Sequence, residues 1–166
     1  MEQMATFARA TLTDLPAIVA IYNQNIAGHM VTADLAPVTV VERRPWFEAY
    51  SDAYPLWVLK DEIAVIGWVG LEPFYGRAAY AHTAEISLYI DQDQTHHGFG
   101  QASLDFVQTQ LPRLRINTLL AYVFSHNLPS AKLFAKNGFE TWGHLPDVAV
   151  LDKQLRSLDI LGRHYL

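Results

Sequence analysis

The sequence predicts a single α/β domain, a mixed and mainly antiparallel sheet with flanking helices. Three observations point there. Its 166 residues match the roughly 150-residue prior for one domain and leave little length for a second. Apolar residues make up 51% of the chain and charged ones 17%, a balance that can bury a core and is unlike that of disordered chains. The hydrophobic spacing switches period in the order α-α-β-β-β-α-β-α-β-β, and no repeat or Pro-, Gly- or Ser-rich linker divides it, so the domain is read as spanning 1–166.

Thr11, Thr13 and Asp14 offer capping oxygens and Pro16 is tolerated in a first turn, so a helix is expected from near Thr13. Leu15, Ile18, Val19, Ile21 and Tyr22 recur at helical spacing up to Gly28, a natural stop. After a loop over 32–37, residues 39–50 read as a second helix burying Val40, Trp46, Phe47 and Tyr50, which Pro45 either starts or kinks. Residues 56–59 and 63–71 flank a charged turn as an antiparallel hairpin, where Gly67 and Gly70 signal a bulge or close backbone approach. A long strand over 80–90 leads through Gly98 and Gly100 into a helix with Ser103, Leu104, Phe106, Val107 and Leu111 inward, closed by Pro112. Residues 116–124 form another strand, and 127–136 a short helix ended by Asn137-Gly138, which accept left-handed backbone readily. Segments 139–142 and 148–161 are strand-like.

Twelve basic residues against 17 acidic ones give a net charge of −5, whereas nucleic-acid binding needs a basic surface. Nucleic acid is not an expected partner. The absence of cysteine excludes disulfides, thiolate metal sites and a cysteine nucleophile. The apolar stretch 15–22 is patterned, unlike a secretory leader, and the longest uncharged apolar run, 63–71, is far short of the ~20 residues of a membrane helix. A cytoplasmic location with no membrane contact is expected. Seven histidines, at 29, 82, 96, 97, 126, 144 and 164, form no helical His-x-x-x-His pair, so no metal site is expected. Neither Ser87 nor Ser103 lies in a Gly-x-Ser-x-Gly elbow.

The segment His96-His97-Gly98-Phe99-Gly100-Gln101 lies between a strand and a helix, where backbone N–H groups and the helix N-terminus face any anion. Alone it is also an ordinary turn, since it lacks the third glycine of a dinucleotide fingerprint and the Lys-Ser/Thr of a phosphate loop. One strand downstream, Asn127, Ser130, Leu133, Lys136, Gly138 and Phe139 spell Asn-x-x-Ser-x-x-Leu-x-x-Lys-x-Gly-Phe. The two motifs together resemble the acyl-CoA-binding halves of the GNAT N-acetyltransferase superfamily. Ala10-x-x-x-Asp14, Ile21-Tyr22-Asn23, Trp46-Phe47 and Arg77-x-x-Tyr80-x-x-Thr83-x-Glu85-x-Ser87-x-Tyr89 are similar to its phosphinothricin acetyltransferase branch, over residues 7–159.

That resemblance implies a GNAT-like domain whose sheet is splayed in the middle and whose co-substrate is acetyl-CoA, without a metal. The pantetheine arm would pair with the backbone of Leu88, Tyr89 and Ile90, because its two amides need partners when buried. The pyrophosphate would rest on amides of His96, His97, Gly98, Phe99, Gly100 and Gln101. Asn127 would bond the cofactor near its thioester, with Ser130 also cofactor-binding; the plain alternative for Asn127 is a helix cap. Glu85 is the expected catalytic residue, since an ammonium cannot attack a thioester and a partly buried carboxylate of raised pKa can take its proton. Strand alternation puts Glu85 with Thr83, Ser87 and Tyr89, and His82, Ala84, Ile86, Leu88 and Ile90 opposite. A structural pairing of Glu85 with Arg77 is the alternative. Arg77, Tyr80 and Thr83 are the expected substrate contacts, Arg77 as a bidentate partner of a carboxylate.

The chain departs from the branch at four places. Thr95 stands where the glycine motif usually opens with Arg or Gln, and Phe134 where the family has a His or Tyr proton donor. Ala33 replaces an aromatic residue of the early loop, and Ser157 a tryptophan near the end. Phosphinothricin itself is therefore not assigned. The expected activity is acetyl-CoA-dependent N-acetylation, by direct attack, of a small amino-acid-like amine of the phosphinothricin or methionine sulfoximine type. The expected assembly is a homodimer, with the apolar segment 155–166 pairing across its interface. A non-catalytic acyl-CoA-binding module and a protein or peptide N-acetyltransferase are the alternatives.

Overall fold

Residues 4–165 are described by the computed structural model. Chain order is β1 (Thr6–Arg9), α1 (Leu15–Gln24), α2 (Val40–Glu48), β2 (Leu56–Lys60), β3 (Val65–Pro73), β4 (Thr83–Ile90), α3 (Phe99–Leu114), β5 (Thr118–Phe124), α4 (Leu128–Lys136), β6 (Glu140–Leu151) and β7 (Gln154–His164). The strands make one seven-stranded sheet in the order β1-β2-β3-β4-β5-β7-β6. Among the described residues only the β4–β5 pair is parallel, as the predicted mixed sheet requires.

Alternation along the central strands separates two cores. Val69 and Leu71 of β3, Ala84 and Ile86 of β4, and Leu119, Ala121 and Val123 of β5 pack with Leu104, Val107 and Leu111 of α3 and Phe134 of α4. On the opposite face Trp68 of β3 joins Ile18, Ile21 and Tyr22 of α1, with Trp46 and Phe47 of α2 packed against them. Two glycines permit close approaches, Gly70 in this second layer and Gly67 beside Ile90, which packs with Leu59, Ile66 and Phe99. A Cβ on Gly70 would lie 2.6 Å from the Tyr50 hydroxyl, and one on Gly67 would lie 2.8 Å from Ile90 Cδ1, so both mark close approaches.

The sheet opens at its centre. β4 and β5 pair only over Thr83–Thr118, Ala84–Leu119 and Glu85–Leu120, whereas β3 follows β4 up to Ile90. Beyond Glu85, β4 therefore has no strand partner on its β5 side among the described residues. The expected splay is present.

Several boundaries differ from the sequence reading. β1 is not foreseen, because four mostly exposed edge residues carry no readable alternation. A 3-10 turn, Leu12–Asp14, precedes α1, which stops at Gln24, short of Gly28. Pro45 neither starts α2 nor ends it, since Thr39 caps the helix and Glu42 bonds back. Pro112 leaves α3 running to Leu114, with Arg115 in the left-handed region. Tyr80 belongs to a 3-10 turn, Ala78–Tyr80, and β4 starts at Thr83. The stretch 140–151 is one strand whose register shifts twice, the second time around Pro146, which has no N–H to give a ladder. β7 lies between β5 and β6, and both of its backbone edges are paired over 158–162; Leu166 lies outside the described residues.

Candidate active site

The opening between β4 and β5 is a cavity of about 580 Å³. Glu85, Ile86, Ser87, Leu88, Tyr89 and Ile90 line one side of it, and residues 121–124 of β5 with Asn127, Ser130, Leu133 and Phe134 the other. Thr95 and Gly100 line one end, and Val31, Thr32 and Ala33 also border the cavity. It thus joins the two segments singled out in the sequence.

Of the expected cofactor residues, Leu88, Tyr89, Ile90, Gly100, Asn127 and Ser130 line the cavity. Gly98, with φ of 81°, precedes the first residue of α3 in a left-handed conformation that favours glycine. The first amides of α3 therefore stand unpaired by the helix itself, beside cavity-lining Gly100. His96 and His97 are exposed, His96 with φ of 64°. The side chains of Phe99 and Gln101 are engaged in the fold: Phe99 is buried with Leu59 and Ile66, and Gln101 exchanges hydrogen bonds with Asn137. Only their backbone is left for a ligand. Asn127, 4% exposed, accepts the Ser130 N–H at 3.3 Å. It is both helix cap and cavity wall.

A ligand with the shape and polarity of acetyl-CoA fits this donor set. An unpaired strand edge suits amides, a helix N-terminus suits phosphate oxygens, and the buried carboxamide of Asn127 lines the same cavity.

Glu85 is half-buried on the face it shares with Thr83, Ser87 and Tyr89, as alternation predicts. Burial first, and then the negative charge of Glu72, push its carboxyl up to about 7. No ion pair involves Glu85 among the described residues. Arg77 is exposed at the cap of the 3-10 turn and contacts no carboxylate there. The Arg77–Glu85 pairing is therefore not formed. Tyr80, 42% exposed, packs its ring against Phe74 and Tyr75, and Thr83 opens β4; none of Arg77, Tyr80 and Thr83 reaches the cavity lining.

Four residues to which the sequence reading gives no role in the site contribute to it. Glu72 of β3 lies directly across from Glu85, a relation visible only once the hairpin register is known. Tyr122 of β5 lines the cavity, and burial, then the charge of Glu85, hold its hydroxyl above the usual tyrosine range. Tyr22 bonds Thr32 at 2.6 Å and also bonds Asp34, which pins the loop bordering the cavity. His126 bonds the His29 carbonyl at 2.8 Å and ties that loop to the turn before Asn127. The Tyr22-Asn23 pair in the first helix was the available signal: Asn23 bonds both the N–H and the carbonyl of Val38. Polar groups on a packed helix face hold a long loop.

With this geometry in place, comparison with known proteins is informative. A family model described as the acetyltransferase (GNAT) domain matches residues 5–140. The YwnH protein of Bacillus subtilis (strain 168), which bears a phosphinothricin acetyltransferase name, is 46% identical over 159 residues, covering 95% of this chain and 98% of its own. An L-methionine sulfoximine/L-methionine sulfone acetyltransferase of Pseudomonas paraeruginosa is 30% identical over 149 residues, covering 87% of this chain and 85% of its own. A crystal structure of a GNAT superfamily phosphinothricin acetyltransferase from Sinorhizobium meliloti, in complex with acetyl-CoA, matches with a TM-score of 0.90 at 25% identity. It covers 97% of this chain and 88% of that one.

Proposed function

The chain belongs to the GNAT acetyltransferase family and is an acyltransferase, and from that premise we propose that it acetylates the amine of a small amino-acid-like molecule by direct attack on acetyl-CoA. The acceptor class follows the names of its relatives, which include phosphinothricin and methionine sulfoximine acetyltransferases. The observation that carries the reading is Glu85. It is a half-buried carboxylate without an ion pair, raised to about 7, on the wall of the cavity where the sheet parts. A base poised near neutral pH is matched to taking a proton from an ammonium.

Each part of the cavity then has a task. The free edge of β4 over Leu88 to Ile90 orients the acyl donor like an added strand, and the start of α3 holds its phosphates through backbone amides. Asn127 and Ser130 hold the thioester end. Acetyl-CoA supplies the acetyl group; the protein binds, aligns and removes a proton. Phe134 offers none at the position where the family has a donor. Arg77 and Tyr80 are the substrate residues of a loop that includes the strained Tyr75, with φ of 54°. Exposed Trp142, Leu145, Val148 and Val150 of β6, with Leu155 of β7, support a homodimer formed through side chains of this hairpin. No described helix is long and apolar enough to cross a membrane, and a cytoplasmic site of action accords with the absence of cysteine.

The test supplies acetyl-CoA with a panel of free amino acids, amino-acid sulfoximines and phosphinothricin, and follows CoA release and acceptor mass. We expect an acetylated α-amine, and a rise in melting temperature with acetyl-CoA alone, worth about 2.7 kcal/mol at a hundredfold excess over Kd. Stabilisation without turnover on any amine would leave an acyl-CoA-binding module instead. No stabilisation would remove the cofactor site as well.

A further inference from the structure

β3 and β4 set two glutamates side by side. Glu72 and Glu85 are cross-strand partners, so both side chains project to the same face, with Cβ atoms about 4.5–5.5 Å apart. Like charges directly opposite each other are unfavourable, and a fold that merely needed polar groups there would not choose two acids. This arrangement is built. Trp46 donates its indole N–H to Glu72 Oε1 at 3.2 Å, and the Tyr50 hydroxyl donates to the same oxygen at 3.4 Å. Tyr50 reaches that oxygen across Gly70, where any Cβ would strike its hydroxyl.

One oxygen of Glu72 therefore accepts from two donors at once. Glu72 is thus held by Trp46 of α2 and by Tyr50 just beyond that helix, whereas Glu85 has no such anchor among the described residues and borders the cavity. The groups facing Glu85 are Glu72 from β3, Tyr50 from the segment that follows α2 and Tyr122 from β5. None of these carries a positive charge, and Arg43, whose charge acts on Tyr50, lies over the rings of Tyr22 and Trp46. Among the described residues neither glutamate has an ion-pair partner.

We infer that Glu72 is a positioning residue for the transfer, the fixed half of a two-carboxylate subsite that takes the acceptor as a primary ammonium and directs its proton to Glu85. This rests on the reading of Glu85 as base. The ammonium gives one proton to Glu85, and its freed lone pair forms the new C–N bond at the thioester carbonyl. The C–S bond breaks with its electron pair on sulfur, which takes the second proton lost by nitrogen. Glu72 exchanges no proton. It keeps the site negative while Glu85 is neutralised, so the ammonium is drawn in and Glu85 stays basic enough to act near neutral pH.

The experiment is Glu72→Gln, which keeps size and the indole contact. We expect the acidic limb of kcat/KM for the acceptor to move to lower pH by about half to one unit. Acceptor KM at pH 8 should rise about tenfold, as one of two charges on the ammonium is lost, with the acetyl-CoA melting shift unchanged. An unmoved limb and an unchanged KM overturn the inference. Glu85→Gln, measured alongside, separates the two levels: if it abolishes turnover while Glu72→Gln is silent, the base stands and only the subsite falls. If Glu85→Gln turns over normally, the base itself is wrong and the subsite with it. Should Glu72→Gln not fold, a carboxyl 13C titration of the unmodified protein decides, because a Glu85 midpoint at the ordinary glutamate value excludes a charged neighbour, and one near 7 that moves on adding a non-reactive ammonium analogue supports it.

Discussion

Asp14 and Glu85 are both carboxylates withdrawn from water, and the fold treats them in opposite ways. Burial alone would raise Asp14. It is outweighed by a bond from Lys60 at 2.8 Å, by the Thr11 N–H at 2.8 Å and by the Thr11 hydroxyl, which together hold Asp14 below the usual carboxylate range. Glu85 meets no cation and no donor among the described residues, only burial and a second acid. The first arrangement locks the entry of α1 onto β2. The second keeps a carboxylate unpaid for by any contact of the resting protein, and strong perturbation beside a cavity marks a group kept for chemistry.

Replacing Glu85 tests that contrast most severely. Glu85→Gln should lower turnover on the order of 10²- to 10⁴-fold and leave the acetyl-CoA melting shift in place, as read by CoA release and thermal denaturation. In the unmodified enzyme kcat/KM should rise with pH through about 7, the value to which burial and Glu72 bring the carboxyl, because only the ionised form accepts a proton. A profile flat from pH 5 to 9 would assign the deprotonation elsewhere.

Stability should respond to the two residues with opposite signs. Asp14 is lowered in the folded state, so its contribution is present above the unfolded value near 3.8 and is lost as pH falls through the lower folded one. Glu85 is raised, so its cost is absent below the unfolded value of 4.5, grows as pH rises toward 7 and is complete above. Urea denaturation at pH 8 should then show Asp14→Asn less stable by about 2 kcal/mol, through its lost charged hydrogen bonds, and Glu85→Gln more stable by about 1–2 kcal/mol, a figure reduced for solvent screening of a partly exposed carboxyl. At pH 4 the gain from Glu85→Gln should vanish. Two losses of equal sign and size would make Glu85 a structural acid like Asp14.

The same contrast explains what was legible in the sequence. Local signals sufficed where one segment carries both cause and effect. The glycine turn, the Asn127 cap and the alternation around Glu85 all appear in the structure as read. Asp14 was read as a capping residue, and the cap is real, but its bond to Lys60 spans 46 positions and no local pattern encodes it. Glu72 was invisible for the same reason. Its meaning comes from lying opposite Glu85, which depends on a hairpin register set by the whole β3–β4 ladder. β1 escaped because an edge strand owes its existence to the partner that accepts it. A pairing of Arg77 with Glu85 is only the alternative in the sequence reading, which takes Arg77 as a substrate contact, and that pairing is not formed among the described residues.

The finest form of the comparison turns one carboxylate into the other. Lys60→Met removes the cation from Asp14 and keeps the aliphatic stem that covers it, so the carboxylate stays buried with only its Thr11 bonds. Lys60 is 39% exposed, and solvent already screens part of the attraction, so the loss should be about 1 kcal/mol, smaller than that of Asp14→Asn. The sign of the pH dependence carries more information than its size. With the largest opposing bond gone, burial should move the Asp14 carboxyl upward, and the acid limb of the stability curve should begin at higher pH than in the unmodified protein. An acid limb that does not move would mean that the Thr11 cap alone keeps Asp14 ionised, and that what separates it from Glu85 is a backbone donor rather than a cation.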